Sequence, residues 1–183
     1  FASAQFCMQS PTLFTDYSQA PQGDTIVAWH WDFGVSGTPA DTSIVQNPEY
    51  TYEHSGTYPV TLTTTTEHGC SSTQVLPVQI WNLPTAAFAY TTSPCSNGEV
   101  QFMDNSTSYQ ANITGWQWEF EPFQYSSDKN PKHTYYELDS CYDVSLQVTD
   151  SRGCLQDTMM QVCVPAAFEV TFSNTVSCFG QPI

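Results

Sequence analysis

The chain repeats itself, and that repeat limits what it can fold into more than any other feature. Trp29-His30-Trp31-Asp32-Phe33 returns as Trp116-Gln117-Trp118-Glu119-Phe120. Asn47-Pro48 followed by Tyr52 returns as Asn130-Pro131 followed by Tyr135, and Tyr58-Pro59-Val60-Thr61-Leu62 as Tyr142-Asp143-Val144-Ser145-Leu146. Gly69-Cys70 returns as Gly153-Cys154, and Ala86-Ala87-Phe88 as Ala166-Ala167-Phe168. The offsets run from 80 to 87 residues. The copies divide the chain into residues 1–83, 84–165 and 166–183, the last reading as the start of a third, truncated repeat. The opening Phe1-Ala2-Ser3 is already strand-like, so the chain reads as an excerpt of something longer.

Each repeat predicts short strands. Val27, Trp29, Trp31 and Phe33 alternate with other residues, as do Val144, Leu146 and Val148, the period of a half-buried strand. Turn signals at 21–24, His68-Gly69 and Arg152-Gly153 separate the strands. About seven strands per repeat, with no helical periodicity, predict an all-β chain of tandem immunoglobulin-like β-sandwiches. Trp31 and Trp118 are expected in the cores, and Tyr58 and Tyr142 join them as the core signature of the repeats. Trp81, just before Leu83-Pro84, is expected to pack between repeats and stiffen the joint.

Charge excludes one class of partner. The net charge is -15, and the cations besides histidine are Lys129, Lys132 and Arg152. Phosphate backbones and anionic lipid both need Lys or Arg for neutralisation, which argues against nucleic acid as a partner; no run approaches the ~18–20 apolar residues of a membrane span, so direct membrane insertion is not expected.

Seven cysteines imply an oxidising, extracellular compartment. Cys7 and Cys95 each lie seven residues before a Phe, and Cys70 and Cys154 each follow a hairpin Gly. The simplest pairing is Cys7–Cys70 and Cys95–Cys154, each within one repeat. A hairpin centred on Ser151-Arg152 sets Cys141 opposite Cys163. Cys178 stands where Cys7 and Cys95 stand and is left unpaired. No CxxC pair occurs and the four histidines are scattered, which argues against zinc. Asp16, Asp24, Asp32 and Asp41 fall close in sequence and leave calcium as a lesser alternative, without the dense acidic loop that calcium favours. Otherwise no cofactor is implied.

No nucleophile elbow, zincin, P-loop or EF-hand pattern is present, and the chain does not read as an enzyme. Asp32 and Glu119 sit beside aromatics on the repeated strand and are expected to accept hydrogen bonds from a nearby turn. His30 is expected on the solvated face.

The W-x-W-D-F-G strand, the N-P-x-x-x-Y segment, the G-x-Y-x-V-x-L strand and the G-C hairpin together resemble the PKD (polycystic kidney disease) domain. Repeat one matches best, through Trp29, Trp31, Asp32, Phe33, Gly34, Pro48, Tyr52, Gly56, Tyr58, Val60 and Leu62. Repeat two departs with Glu119 and Glu121, which implies differently shaped connections. PKD repeats with this G-C pattern resemble those of giant adhesins and type 9-secreted proteins of gliding Bacteroidota. The resemblance implies a stalk or spacer at the bacterial cell surface, its partners being adjacent repeats, surface glycan or other cell-surface proteins. The alternative is an accessory carbohydrate- or protein-binding module of a secreted hydrolase. Asp24-Thr25-Ile26 and Asp157-Thr158-Met159 resemble the O-glycosylation motif of the same bacteria, making Thr25 and Thr158 candidate glycan sites.

Overall fold

The computed structural model describes residues 1–4, 6–37, 41–93, 95 and 97–167. Residues 166–167 are the described part of the expected third repeat; the rest of it, with Cys178, lies outside these residues. All regular structure among the described residues is β. The first sandwich comprises β1 (Ala2–Ala4), β2 (Pro11–Thr15), β3 (Ile26–Asp32), β4 (Thr42–Ser43), β5 (Glu49–Thr51), β6 (Gly56–Thr66) and β7 (Ser71–Ile80). The second comprises β8 (Phe88–Thr92), β9 (Glu99–Asp104), β10 (Ile113–Glu121), β11 (Gln124–Ser126), β12 (Lys132–Thr134), β13 (Ser140–Asp150) and β14 (Leu155–Val164). Each packs a three-stranded sheet, β1-β2-β5 or β8-β9-β12, on a four-stranded one, β4-β3-β6-β7 or β11-β10-β13-β14.

Alternation along the strands builds the two cores. Inward residues of β3 and β6 (Trp31, Val60, Leu62) meet Phe14 of β2. Trp118, Val144, Leu146 and Val148 meet Phe102 in the same way. Trp31 and Trp118 are fully buried. A buried indole N–H needs an acceptor; Trp31 Nε1 donates to the Val45 carbonyl at 3.0 Å and Trp118 Nε1 to that of Asp128 at 2.9 Å. Tyr58 and Tyr142 lie half-buried at the core margin. The tyrosines at the centre are instead Tyr52 and Tyr135, 1% and 0% exposed. Burial pushes both phenols well above the ordinary tyrosine value.

The repeats differ where their sequences do. Gly34 adopts a left-handed backbone and passes so close to Pro59 that a Cβ would fall 2.9 Å from its carbonyl oxygen. At the matching place in the second sandwich Glu121 ends β10, and the chain turns straight into β11 through Pro122 and Phe123, the latter at φ 69°. In the first sandwich β4 begins only at Thr42.

Candidate functional site

The two long hairpins present their tips by one design. In the first, Thr66 N–H donates to the Cys70 carbonyl at 2.9 Å and Gly69 N–H to the Thr66 carbonyl at 2.9 Å. In the second, Asp150 N–H donates to the Cys154 carbonyl at 3.0 Å and Gly153 N–H to the Asp150 carbonyl at 2.9 Å. Gly69 and Gly153 take φ of 81° and 86°, which glycine adopts without penalty. The tip of the second hairpin meets the opposite end of the first sandwich. There Trp81, following β7, donates its N–H to the Phe6 carbonyl at 2.6 Å and accepts from Met8 N–H at 2.9 Å. Cys7, held between those two bonds, forms a disulfide with Cys154, Cα to Cα 5.6 Å. Arg152 donates to the Tyr109 carbonyl at 3.1 Å and also to that of Gln110. Its guanidinium lies 4.1 Å from the Trp81 ring centroid, a cation–π contact. Trp81 thus packs between the repeats, and the joint is covalent.

This corrects the expected pairing. Cys7 does not join Cys70, nor Cys95 Cys154; the bond runs from Cys7 to Cys154, and Cys70 and Cys95 are exposed free thiols. The reason is strand length. Cys70 sits at one end of the ten-residue β7, and Trp81, with Cys7 beside it, follows the other end. At about 3.3 Å per residue that puts the two cysteines roughly 30 Å apart, far beyond the ~7 Å Cα limit of a disulfide. Gly98, three residues after Cys95, similarly packs against Leu138 and Tyr135, near the start of β13 and so at the end of β14 away from Cys154. Cys141 and Cys163 are opposite each other in the β13–β14 register and are disulfide-bonded, Cα to Cα 4.0 Å.

The remaining candidates do not converge. Asp32 accepts from Gly34 N–H at 2.8 Å, a local turn bond. Glu119 is exposed, with Tyr125 Oη at 3.4 Å. Asp41 is buried and accepts from Val35 N–H at 2.9 Å. Asp24 faces His68 at 3.0 Å; hydrogen bonds from Thr66 and His68 hold its carboxyl below the usual range. Asp16 is partly buried, which raises its pKa, but hydrogen bonds from Ser18, Trp29 and Gln46 outweigh that and hold it low. Among the described residues no three of His, Cys, Asp and Glu come together to hold a metal ion. His30 is exposed, with Nδ1 3.2 Å from the Trp31 carbonyl. Thr25 is exposed, whereas Thr158 is half-buried, since its cross-strand partner is the core residue Leu146. Gln156 lies on the same face and is likewise half-buried.

Comparison with known proteins places both sandwiches. The model of the PKD domain family matches residues 2–80 and again 81–164. The chain belongs to the PKD domain family. Among solved structures, it is similar to the PKD1 domain of Vibrio anguillarum Epp at 27% identity, covering 47% of this chain and 98% of that one, with a TM-score of 0.42. The PKD1 domain of the Vibrio cholerae metalloprotease PrtV is 25% identical over 46% of this chain and 99% of that one, with a TM-score of 0.41. The Clostridium thermocellum CbhA fibronectin(III)-like modules cover 92% of this chain and 93% of their own, at 12% identity and a TM-score of 0.42. In PKD terms, sequence reasoning missed that the hairpin cysteine of one module serves its neighbour. The signal available was the distance spanned by β7.

Proposed function

We propose that these tandem PKD modules form a non-catalytic stalk or spacer of a large, extracellular, bacterial cell-surface or secreted adhesin-like protein, of the kind that gliding Bacteroidota export by type 9 secretion. The observation that carries the reading is the covalent joint. Cys7–Cys154 and the Arg152–Trp81 contact fasten the end of one module to the tip of the next, which suits an element that must hold its length. With strands of up to eleven residues, two modules end to end span on the order of 70 Å. Small-angle X-ray scattering tests this. An extended rod of about that length is expected, and a compact, side-by-side particle would overturn the reading. The proposed partners are adjacent modules and surface glycan. Thr25, exposed beside Asp24, is the better placed of the two candidate O-glycan acceptors; added hexose on its peptide from native-host protein tests it.

One observation favours the second reading, an accessory binding module of a secreted hydrolase. In the second sandwich a groove lined by Glu121, Gln124, His133, Thr134 and Tyr136 lies beside Phe123. Phe123 and Tyr136 are 87% and 92% exposed, so both offer faces on which a sugar ring could stack. Retention on insoluble polysaccharide that Tyr136→Ala and Phe123→Ala abolish would favour this reading over the stalk.

A further inference from the structure

The inter-module disulfide joins two positions that each module possesses. The first is the early cysteine. Cys7 and Cys95 each lie two residues before a left-handed residue, Gln9 at φ 61° and Asn97 at φ 51°. Each lies seven before a buried phenylalanine, Phe14 or Phe102. The second is the hairpin cysteine. Cys70 and Cys154 each follow a left-handed glycine in the matched turns described above, and each backbone N–H donates to a side-chain oxygen four residues back, Thr66 Oγ1 at 3.3 Å or Asp150 Oδ1 at 3.0 Å. Each turn is also held by the same lateral bond, Glu67 N–H to the Thr25 carbonyl at 2.9 Å and Ser151 N–H to the Asn112 carbonyl at 2.8 Å.

In this structure the early cysteine of module one bonds the hairpin cysteine of module two. Among the described residues, Cys70 and Cys95 are then the members of the set without a disulfide, both exposed, and they lie at opposite poles of the pair of modules. We propose that Cys70 and Cys95 are attachment points of an inter-module disulfide ladder: Cys95 bonds the hairpin cysteine of a PKD module on its far side, and Cys70 bonds the early cysteine of a PKD module on the other. The occupant of each site is therefore a PKD module carrying the complementary cysteine. In each new bond two thiols lose one proton each, and two electrons pass to a disulfide oxidant, oxidised glutathione for example, which is reduced to two thiols. The cation–π clamp is particular to the present joint, since Arg152 corresponds to His68 and Trp81 to Pro165; the cysteines alone recur at both poles.

The proposal needs only neighbouring PKD modules, so it stands or falls separately from the stalk reading, which scattering tests. The experiment uses two variants of the full chain, Cys70→Ser/Cys178→Ser and Cys95→Ser/Cys178→Ser, each retaining Cys7–Cys154 and Cys141–Cys163, so that the remaining early cysteine takes no part. They are incubated in a glutathione redox buffer at high protein concentration, separately and as an equimolar mixture, and followed by non-reducing electrophoresis and peptide mapping. Each variant alone should stay monomeric. The mixture should give a heterodimer linked Cys70–Cys95, at least tenfold in excess of either homodimer. Random pairing of two exposed thiols would give the heterodimer at only twice each homodimer, and that outcome would overturn the proposal. Absence of any dimer, with both native disulfides confirmed intact, would overturn it equally. The Cys178→Ser chain, with Cys70 and Cys95 both in place, should form a head-to-tail series of multimers whose only new cross-link is Cys70–Cys95.

Discussion

Opening the Cys7–Cys154 bond should destabilise both modules, not one. With the first module folded, Cys7 is pinned beside Trp81. Unfolding the second module then releases a loop of roughly 70 residues, from Trp81 to Cys154, that the disulfide still closes. In the chain-entropy description a loop of that length is worth about 4 kcal/mol. Unfolding the first module with the second intact releases a loop of similar length between Cys7 and the junction, with a similar stabilisation. For domains of this size each kcal/mol moves the midpoint by ~4–8 °C, so both transitions should fall by on the order of 15 °C or more. The comparison is by scanning calorimetry between the unaltered chain, Cys7→Ala, and the double variant Cys7→Ala/Cys154→Ala. Cys7→Ala alone matters because it removes the cross-link and leaves the buried Cys154 in place. A Trp31→Phe variant, truncating the first core, identifies which transition belongs to which module. If Cys7→Ala shifts only one transition, or neither, the bond does not couple the modules and the reasoning fails.

Removing Cys141–Cys163, which closes 22 residues within β13–β14, should destabilise only the second module, by about 3 kcal/mol in the same description, read from the same calorimetric scans. Gly98→Ala should destabilise the second module by more than about 2 kcal/mol in urea unfolding, because its Cβ would lie 2.0 Å from the Tyr135 carbonyl oxygen on a backbone at φ +85°. Tyr52→Phe should cost about 1 kcal/mol by removing the bond to the Phe33 carbonyl at 3.0 Å, while Tyr135→Phe, whose buried hydroxyl has no hydrogen-bond partner among the described residues, should be neutral or stabilising. Asp16 titrates below the ordinary 3.8 in the folded chain, so its contribution is complete above that value and is lost as pH falls through the lowered pKa. Trp29, whose Nε1 donates to Asp16 at 2.7 Å, should report this as an emission change below pH 3.8 that Asp16→Asn abolishes.

Much of the fold was legible because it rests on alternation. Trp31 and Trp118 alternate with polar residues, so one face had to be the core, and both are fully buried. The placing of Tyr58 and Tyr142 was less legible, since they lie on the first turns of long strands where the sandwich tapers. The aromatic six or seven residues earlier, Tyr52 or Tyr135, fills the centre instead. Periodicity gives a residue's face but not its depth along the strand. The difference between the β3–β4 and β10–β11 connections goes with length and with Gly34: Trp31 to Pro48 spans 17 residues where Trp118 to Pro131 spans 13, and Glu121 stands where Gly34 does. A residue with a Cβ could not take the close pass over Pro59.

The cysteine pattern shows how a repeat can mislead. Because Cys7 and Cys70 fall in one repeat, pairing them there accounts for every cysteine but Cys178 and leaves each module closed on itself. Spacing along the chain, however, carries no information about which pole of a sandwich a residue occupies. That information lies in the hairpin: β6 and β7 run eleven and ten residues, so whatever sits at their turn is separated from whatever sits at their open end by a full module length. A cysteine at the turn and one beside Trp81 cannot meet within a module, yet modules stacked end to end bring just these two positions together. The repeat that made the fold legible therefore also fixes the connectivity, once it is read as a relation between neighbours and not as a closed unit. The same geometry explains why Cys141 and Cys163 behave differently: they occupy one register position near the open end of a single hairpin, where no neighbour is needed.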